Sequence, residues 1–272
     1  MMNNNELLKE KVLAYYKKYY SEELGLKDWE ERCKLRLDEE KNYCLTYINR
    51  IKEWINYDFA SKKVLVVGSG TGGELVNFHK DGADVFGVEP NIDALTISHI
   101  KARKINLDIA KIREGYAESL DFKDNKFDFV YCYTVLEHVK DVEQSISEMI
   151  RVTKEGGYIF IHTPDYRQLY EPHYKLPLPM FLPNFISKLI LFILGRPTKF
   201  LDTIKKVNSL SLRRIFHRKS IHHFRVYQIE DYSSETMLFK IILMIQRCLN
   251  LYFGIPPNQA WLLKKKTMID NS

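Results

Sequence analysis

Cysteine is scarce and scattered in this chain of 272 residues: Cys33, Cys44, Cys132 and Cys248 form no C-x-x-C pair. That spacing excludes a zinc ribbon and a disulfide framework, and leaves reduced thiols in a cytoplasmic setting as the expectation. Glycine (12) and proline (9) are few and apolar residues reach 45%, which excludes disordered and collagen-like chains. No uninterrupted apolar run approaches the roughly 18 residues of a membrane-spanning helix. The opening MMNNNELLKEK has no apolar core of a secretory signal, so none is expected. Positive charge is ample but unevenly placed. Of the net +6, residues 196–225 alone carry +8, leaving the remainder at −2. A basic tract of this density is either a solvated face or a surface for phosphates or anionic lipid.

Hydrophobic period divides the chain. Apolar and aromatic residues recur at three and four over 5–58 (Leu7, Leu8, Val12, Tyr15, Tyr16, Tyr19, then Leu45, Ile48, Ile51, Trp54, Ile55), with a break near Gly25. From Lys63 short strands alternate with helices. The strands are KVLVVG, DVFGVEP, AKIREG, FDFVYCYT and GGYIFIHTP; the helices are ELVNFHKDG, closed by Gly82, NIDALTISHIKARKI, capped by Asn91, and VEQSISEMIRVT. Such alternation predicts a parallel sheet covered on both faces, with ligands beyond the carboxyl ends of its strands. Residues 166–222 are Pro-punctuated, aromatic and basic, and read as an insertion over that end. A helical period resumes over 228–254 and AWLLKKK reads as a closing strand. The expected organisation is therefore an N-terminal helical segment (1–58), a Rossmann-like core (59–165), a substrate lid (166–222), and a helix and strand completing the core (223–272).

VLVVGSGTGGELV, residues 64–76, satisfies two templates. Gly68, Gly70 and Gly73 match the dinucleotide pattern G-x-G-x-x-G, while Gly68, Gly70 and Gly72 match the G-x-G-x-G loop of S-adenosylmethionine (SAM) enzymes. Glu89, ending the second strand, suits the ribose of either cofactor. The downstream blocks EGYAESLDF (114–122), FDFVYCYTVLEHV (127–139) and VTKEGGYIFIHTP (152–164) separate them. In this order they resemble the motif series of class I SAM-dependent methyltransferases over residues 60–165, with a looser match over 224–265.

That resemblance implies an α/β fold: a Rossmann-like, doubly wound, mostly parallel sheet with N-terminal helices and an inserted helical lid. It implies SAM as cofactor, with Gly68, Ser69, Gly70, Thr71 and Gly72 around its amino-acid part. Glu89 and Pro90 then hold the ribose, Tyr116, Ala117 and Glu118 border the adenine, and Tyr133, Thr134 and Val135 lie beside the transferring methyl. Two positions depart from the family pattern. Val66 stands where an acid commonly precedes the first glycine, and Tyr116 stands where an Asp often flanks the adenine.

For the chemistry, His173 in YEPHYKLPLP and His162 in IFIHTPD are the candidate catalytic residues, because a hydroxyl acceptor gains from a base of near-neutral pKa. Glu137 and His138 in TVLEH are too few for a hard cation, so no metal is expected. His217, His222 and His223 lie among arginines and read as anion contacts. The apolar helix at 184–194 has three readings: lid core, interfacial helix or dimer contact. Beside the basic tract it suits a peripheral protein at the inner, anionic face of a membrane. The expected function is O-methylation of a small-molecule, glycan, lipid or lipid-linked acceptor. Nucleic acid is not expected, since no N-P-P-Y run occurs. The alternatives are an NAD-dependent oxidoreductase and a non-catalytic SAM-binding scaffold.

Overall fold

The computed structural model describes residues 4–42, 44–226, 237–253 and 258–267. The N-terminal segment holds α1 (Asn4–Lys17), a π-helical turn (Lys18–Glu23), α2 (Trp29–Leu37), α3 (Glu39–Asn42) and α4 (Leu45–Ile55). The core runs β1 (Lys63–Val67), α5 (Gly73–Lys80), β2 (Asp84–Glu89), α6 (Ile92–Lys104), β3 (Ile112–Glu114), β4 (Phe127–Tyr133), α7 (Val142–Val152) and β5 (Thr153–Pro164). Beyond it come α8 (Asn184–Ile193), α9 (Ser209–Arg218), β6 (His222–Val226), α10 (Met237–Phe253) and β7 (Asn258–Lys264).

The seven strands form one sheet in the order β3-β2-β1-β4-β5-β7-β6. Pairing is parallel from β3 through β5 and antiparallel where β7 joins β5 and β6. This is the Rossmann-like sheet the sequence implies. The chain steps outward from β1 on one side, then returns to place β4 on the other. A crevice therefore opens beyond the carboxyl ends of β1 and β4, where the connections part.

Strand alternation sorts the core into two layers. Val64, Val66, Phe129, Tyr131 and Phe160 face α4, α5 and α6, while Leu65, Val67, Val130, Cys132, Ile159 and Ile161 face α7 and α9. Helix entry follows local chemistry. Asn91 Oδ1 accepts the Ala94 amide at 3.0 Å, and Asp141 Oδ1 accepts that of Gln144 at 3.0 Å, each satisfying an amide the first turn leaves free.

A third apolar cluster joins segments distant in sequence. Val12, Tyr16, Tyr20, Leu24 and Cys33 of the N-terminal helices pack with Tyr166, Tyr174, Leu178, Met180, Leu191 and Leu201 of the insertion. Arg196 clips the two together, donating from Nε and Nη2 to the Leu24 carbonyl at 2.9 and 2.6 Å. The insertion thus shares one core with the N-terminal helices.

Two sequence boundaries shift. HHFRV, read as part of the basic tract where the insertion ends, is the edge strand β6 against β7. Its apolar period is hidden because an edge strand with both faces partly open does not alternate. The helical reading of 228–254 holds as α10 over 237–253; residues 228–236 and 254 lie outside the described ones.

Candidate active site

The glycine-rich turn leaves β1 and enters α5. Gly68, Gly70 and Gly72 all have positive φ (65°, 52° and 88°), a region that favours glycine. Two of the three are also closed by neighbours. A Cβ on Gly68 would come within 2.3 Å of Val135 Cγ2, and one on Gly72 within 2.7 Å of Ser98 Oγ. Gly70 faces open space. The turn therefore packs on two sides and leaves one backbone face free for a ligand. Ser69 Oγ is buried there without a hydrogen-bond partner among the described residues.

Glu89 closes the other side. Its Oε2 accepts the Gly70 amide at 2.7 Å and its Oε1 that of Asn91 at 2.9 Å. Burial pushes its carboxyl above the ordinary range, against those two bonds, which favour the charge. Pro90 follows it directly. Beyond the carboxyl ends of β2 and β3, Ile92 and Tyr116 are 53% and 55% exposed. Both apolar side chains are open to solvent on the connections that follow β2 and β3. Ile92 escaped sequence reasoning because an apolar residue in a helix reads as core; its exposure is the signal. Ala117 is buried, and Glu118 Oε1 accepts the Lys140 and Asp141 amides at 2.6 and 3.4 Å. That carboxylate serves the entry to α7.

The β4 end carries Tyr133, Thr134 and Val135. Val135 is the residue lying against Gly68, so the glycine turn and the connection after β4 touch. Thr134 holds a positive φ of 52°, a strained state for a β-branched residue, and its amide bonds the His162 carbonyl at 2.8 Å. His162 itself is 3% exposed, its ring stacked on Tyr133 at 4.5 Å and against Tyr47 at 4.8 Å. This places it in the packed interior rather than on an open acceptor surface.

His173 has a different setting. Glu171, fully buried, accepts from the Tyr174 amide at 2.5 Å through Oε2, and its Oε1 lies 2.7 Å from His173 Nδ1. Burial opposes a charged imidazole at His173, but the Glu171 carboxylate outweighs it and raises the pKa above the ordinary value. At His138 burial wins, and the pKa falls. The His138 and His173 rings lie 5.5 Å apart, with Phe200 against both. Glu137 is buried beneath them, its Oε2 accepting from Thr163 Oγ1 at 2.9 Å and its Oε1 without a partner. One donor atom each from Glu137, His138 and His173 lies within 4.8 Å of the others, a spacing that could hold a metal ion. Reading Glu137 and His138 alone predicts no metal; the fold adds His173 from the insertion.

Residues 65–161 match the family model described as a methyltransferase domain. A ubiquinone biosynthesis O-methyltransferase of Pectobacterium atrosepticum is 29% identical over 102 residues, covering 38% of this chain and 42% of that protein. The match thus spans about two fifths of that relative's length. Among solved structures, a protein of Pyrococcus horikoshii aligns with a TM-score of 0.58 at 15% identity, over 93% of this chain and 99% of that one. A SAM-dependent methyltransferase from Archaeoglobus fulgidus aligns at 0.52 and 20% identity, over 84% and 98%. These structures share the fold. Residues 65–161 therefore carry a match to a methyltransferase domain, set on a Rossmann-like sheet with an open glycine turn at the carboxyl end of β1.

Proposed function

We propose that this chain transfers a methyl group from SAM to an oxygen of a sugar, lipid or lipid-linked small-molecule acceptor, with His173 taking the acceptor's proton. SAM supplies an electrophilic methyl on a sulfonium: the acceptor oxygen bonds to that carbon while the carbon–sulfur pair stays on sulfur, leaving S-adenosylhomocysteine. The chain's task is alignment, exclusion of water and proton removal. Gly68 to Gly72 and Glu89 serve the amino-acid and ribose parts, Ile92 and Tyr116 the adenine, and Tyr133 to Val135 the methyl.

The observation carrying the acceptor-side reading is the Glu171–His173 pair. Glu171 engages Nδ1 and leaves Nε2 for a substrate hydroxyl, an arrangement that orients an imidazole as proton acceptor. His162, enclosed by Tyr47 and Tyr133, does not take this role. The lipid part rests on α8. Its inner face, Ser187 and Leu191, is buried, while Phe185, Phe192 and Ile193 are 71%, 76% and 73% exposed. No described helix is long and apolar enough to cross a membrane. An outward apolar face beside a +8 tract supports contact with an anionic bilayer surface and an acceptor held there.

The test supplies methyl-labelled SAM to lipid and glycan extracts. Label is expected in O-methylated material. His173→Asn should lower turnover by about 100-fold or more while leaving S-adenosylhomocysteine binding intact. Undiminished turnover in His173→Asn would remove the proton-acceptor role. Turnover lost in a chelator and restored by a divalent ion would assign Glu137, His138 and His173 to a metal instead.

A further inference from the structure

We infer that Glu39 is a positioning residue of the cofactor site, through which the N-terminal helices set the shape of the glycine-rich turn. The inference rests on the reading of that turn as the cofactor loop.

Three left-handed glycines make the turn conformationally loose, so its bound shape must be imposed by contacts. Strand β2 supplies some: the Gly68 and Ser69 amides bond the Val88 carbonyl at 2.8 and 3.0 Å, and the Gly70 amide bonds Glu89. Only Ser69 and Thr71 carry side chains within the turn, and the Ser69 hydroxyl has no partner among the described residues. Thr71 is tied outward. Its Oγ1 donates to Glu39 Oε1 at 2.5 Å and lies 2.9 Å from the Tyr16 hydroxyl, which in turn lies 2.9 Å from Glu39 Oε2. Both partners come from the N-terminal segment, Tyr16 on α1 and Glu39 on α3.

Glu39 is 2% exposed, and a carboxylate so buried needs counter-charge to stay ionised. Burial works against its charge, but Lys101 and Arg36 outweigh it and hold its pKa below the ordinary range. Lys101 Nζ donates at 2.5 Å from α6, and Arg36 Nη1 stands 3.6 Å away on α2. Glu39 thus joins α1, α2, α3 and α6 to one side chain of the turn.

The surrounding surface fits the same purpose. Gly73, the fourth glycine of the run, is not in the left-handed region; a Cβ there would come within 2.5 Å of Cys44 Sγ and 3.0 Å of Glu39 Cγ. Its bareness lets α3 and Cys44 seat against the start of α5. Asn77 Nδ2 donates to the Glu40 carbonyl at 2.8 Å, closing the seam. The N-terminal segment therefore reaches the turn through Tyr16 and Glu39. Ordering the turn around a cofactor and docking these helices favour one another, and such coupling is reciprocal.

The experiment measures S-adenosylhomocysteine affinity by calorimetry and amide hydrogen exchange with and without it. Wild type is expected to bind, and to show slowed exchange in α1 and α3 on binding. Glu39→Gln should weaken binding about tenfold, the order expected for losing a hydrogen bond to a charged group, and should abolish that slowing. Because Glu39→Gln also removes the carboxylate charge that Lys101 and Arg36 face, Thr71 gives a second pair that leaves the charges in place. Thr71→Val should weaken binding similarly, and Thr71→Ser should restore it. Folded Glu39→Gln and Thr71→Val proteins with wild-type affinity would overturn the inference. Absence of binding in wild type would instead overturn the cofactor reading beneath it.

Discussion

Glu74, the second residue of α5, lies beside Cys44 and close to Glu39, where burial and the Glu39 charge raise its pKa from 4.5 to about 7. A carboxyl raised in the folded state favours its protonated form. Its stabilising share is complete below the unfolded pKa and is lost as pH rises through about 7. Glu74→Gln is accordingly expected to raise Tm at pH 8, by an amount on the order of 2 kcal/mol in stability, and to change it little at pH 4.5. Thermal melts at the two pH values check this; an equal shift at both would remove the titration. Residues differ in how legible they are. Gly68, Gly70, Gly72 and Glu89 can be read from spacing, because backbone conformation and strand ends impose it. Glu39 cannot. A glutamate in the run DEEK reads as solvated, and only the fold turns it toward Thr71. It also supplies a buried carboxylate to the turn that follows β1, the strand in which Val66, an apolar core residue, precedes the first glycine.

At the scale of elements, α8 decides the acceptor question most directly. Its sequence allows lid core, interfacial helix or dimer contact. Ser187 and Leu191 do join the lid, but Phe185, Phe192 and Ile193 point out. If that face meets a bilayer, the protein floats with vesicles of mixed zwitterionic and anionic lipid. Added salt should weaken flotation, because the basic tract contributes electrostatically. Phe185→Asp with Phe192→Asp should abolish it without lowering Tm, since both side chains are exposed. No flotation of wild type at low salt would remove the membrane reading, and concentration-dependent self-association lost in the same variant would give the face to a second copy. The core strands β1 to β5 are legible because each is a compact apolar run flanked by turn chemistry. β6 is not, because HHFRV is polar and half-open on both faces. The start of α6 is predicted from Asn91, and the structure caps it there.

Over the whole molecule, three apolar clusters divide the work. Two hold helices to the faces of the sheet, and the third binds the N-terminal segment to the insertion. The sheet and its crevice follow from local pattern, so they can be anticipated from sequence. The third cluster cannot, because it joins residues such as Tyr20 and Leu201 that no local period relates. Tyr16 and Glu39 descend on the glycine turn from one side, and Glu171 and His173 approach the β4 end from the other. The proposed function has cofactor and acceptor meet between these two groups. The measurement that tests this most directly is calorimetric titration of the wild-type chain and Glu89→Ala with S-adenosylhomocysteine, with NADH as a parallel titrant. The account predicts saturable binding of S-adenosylhomocysteine to wild type, its loss in a folded Glu89→Ala, and no binding of NADH. Binding unchanged by Glu89→Ala, or binding of NADH alone, would contradict it.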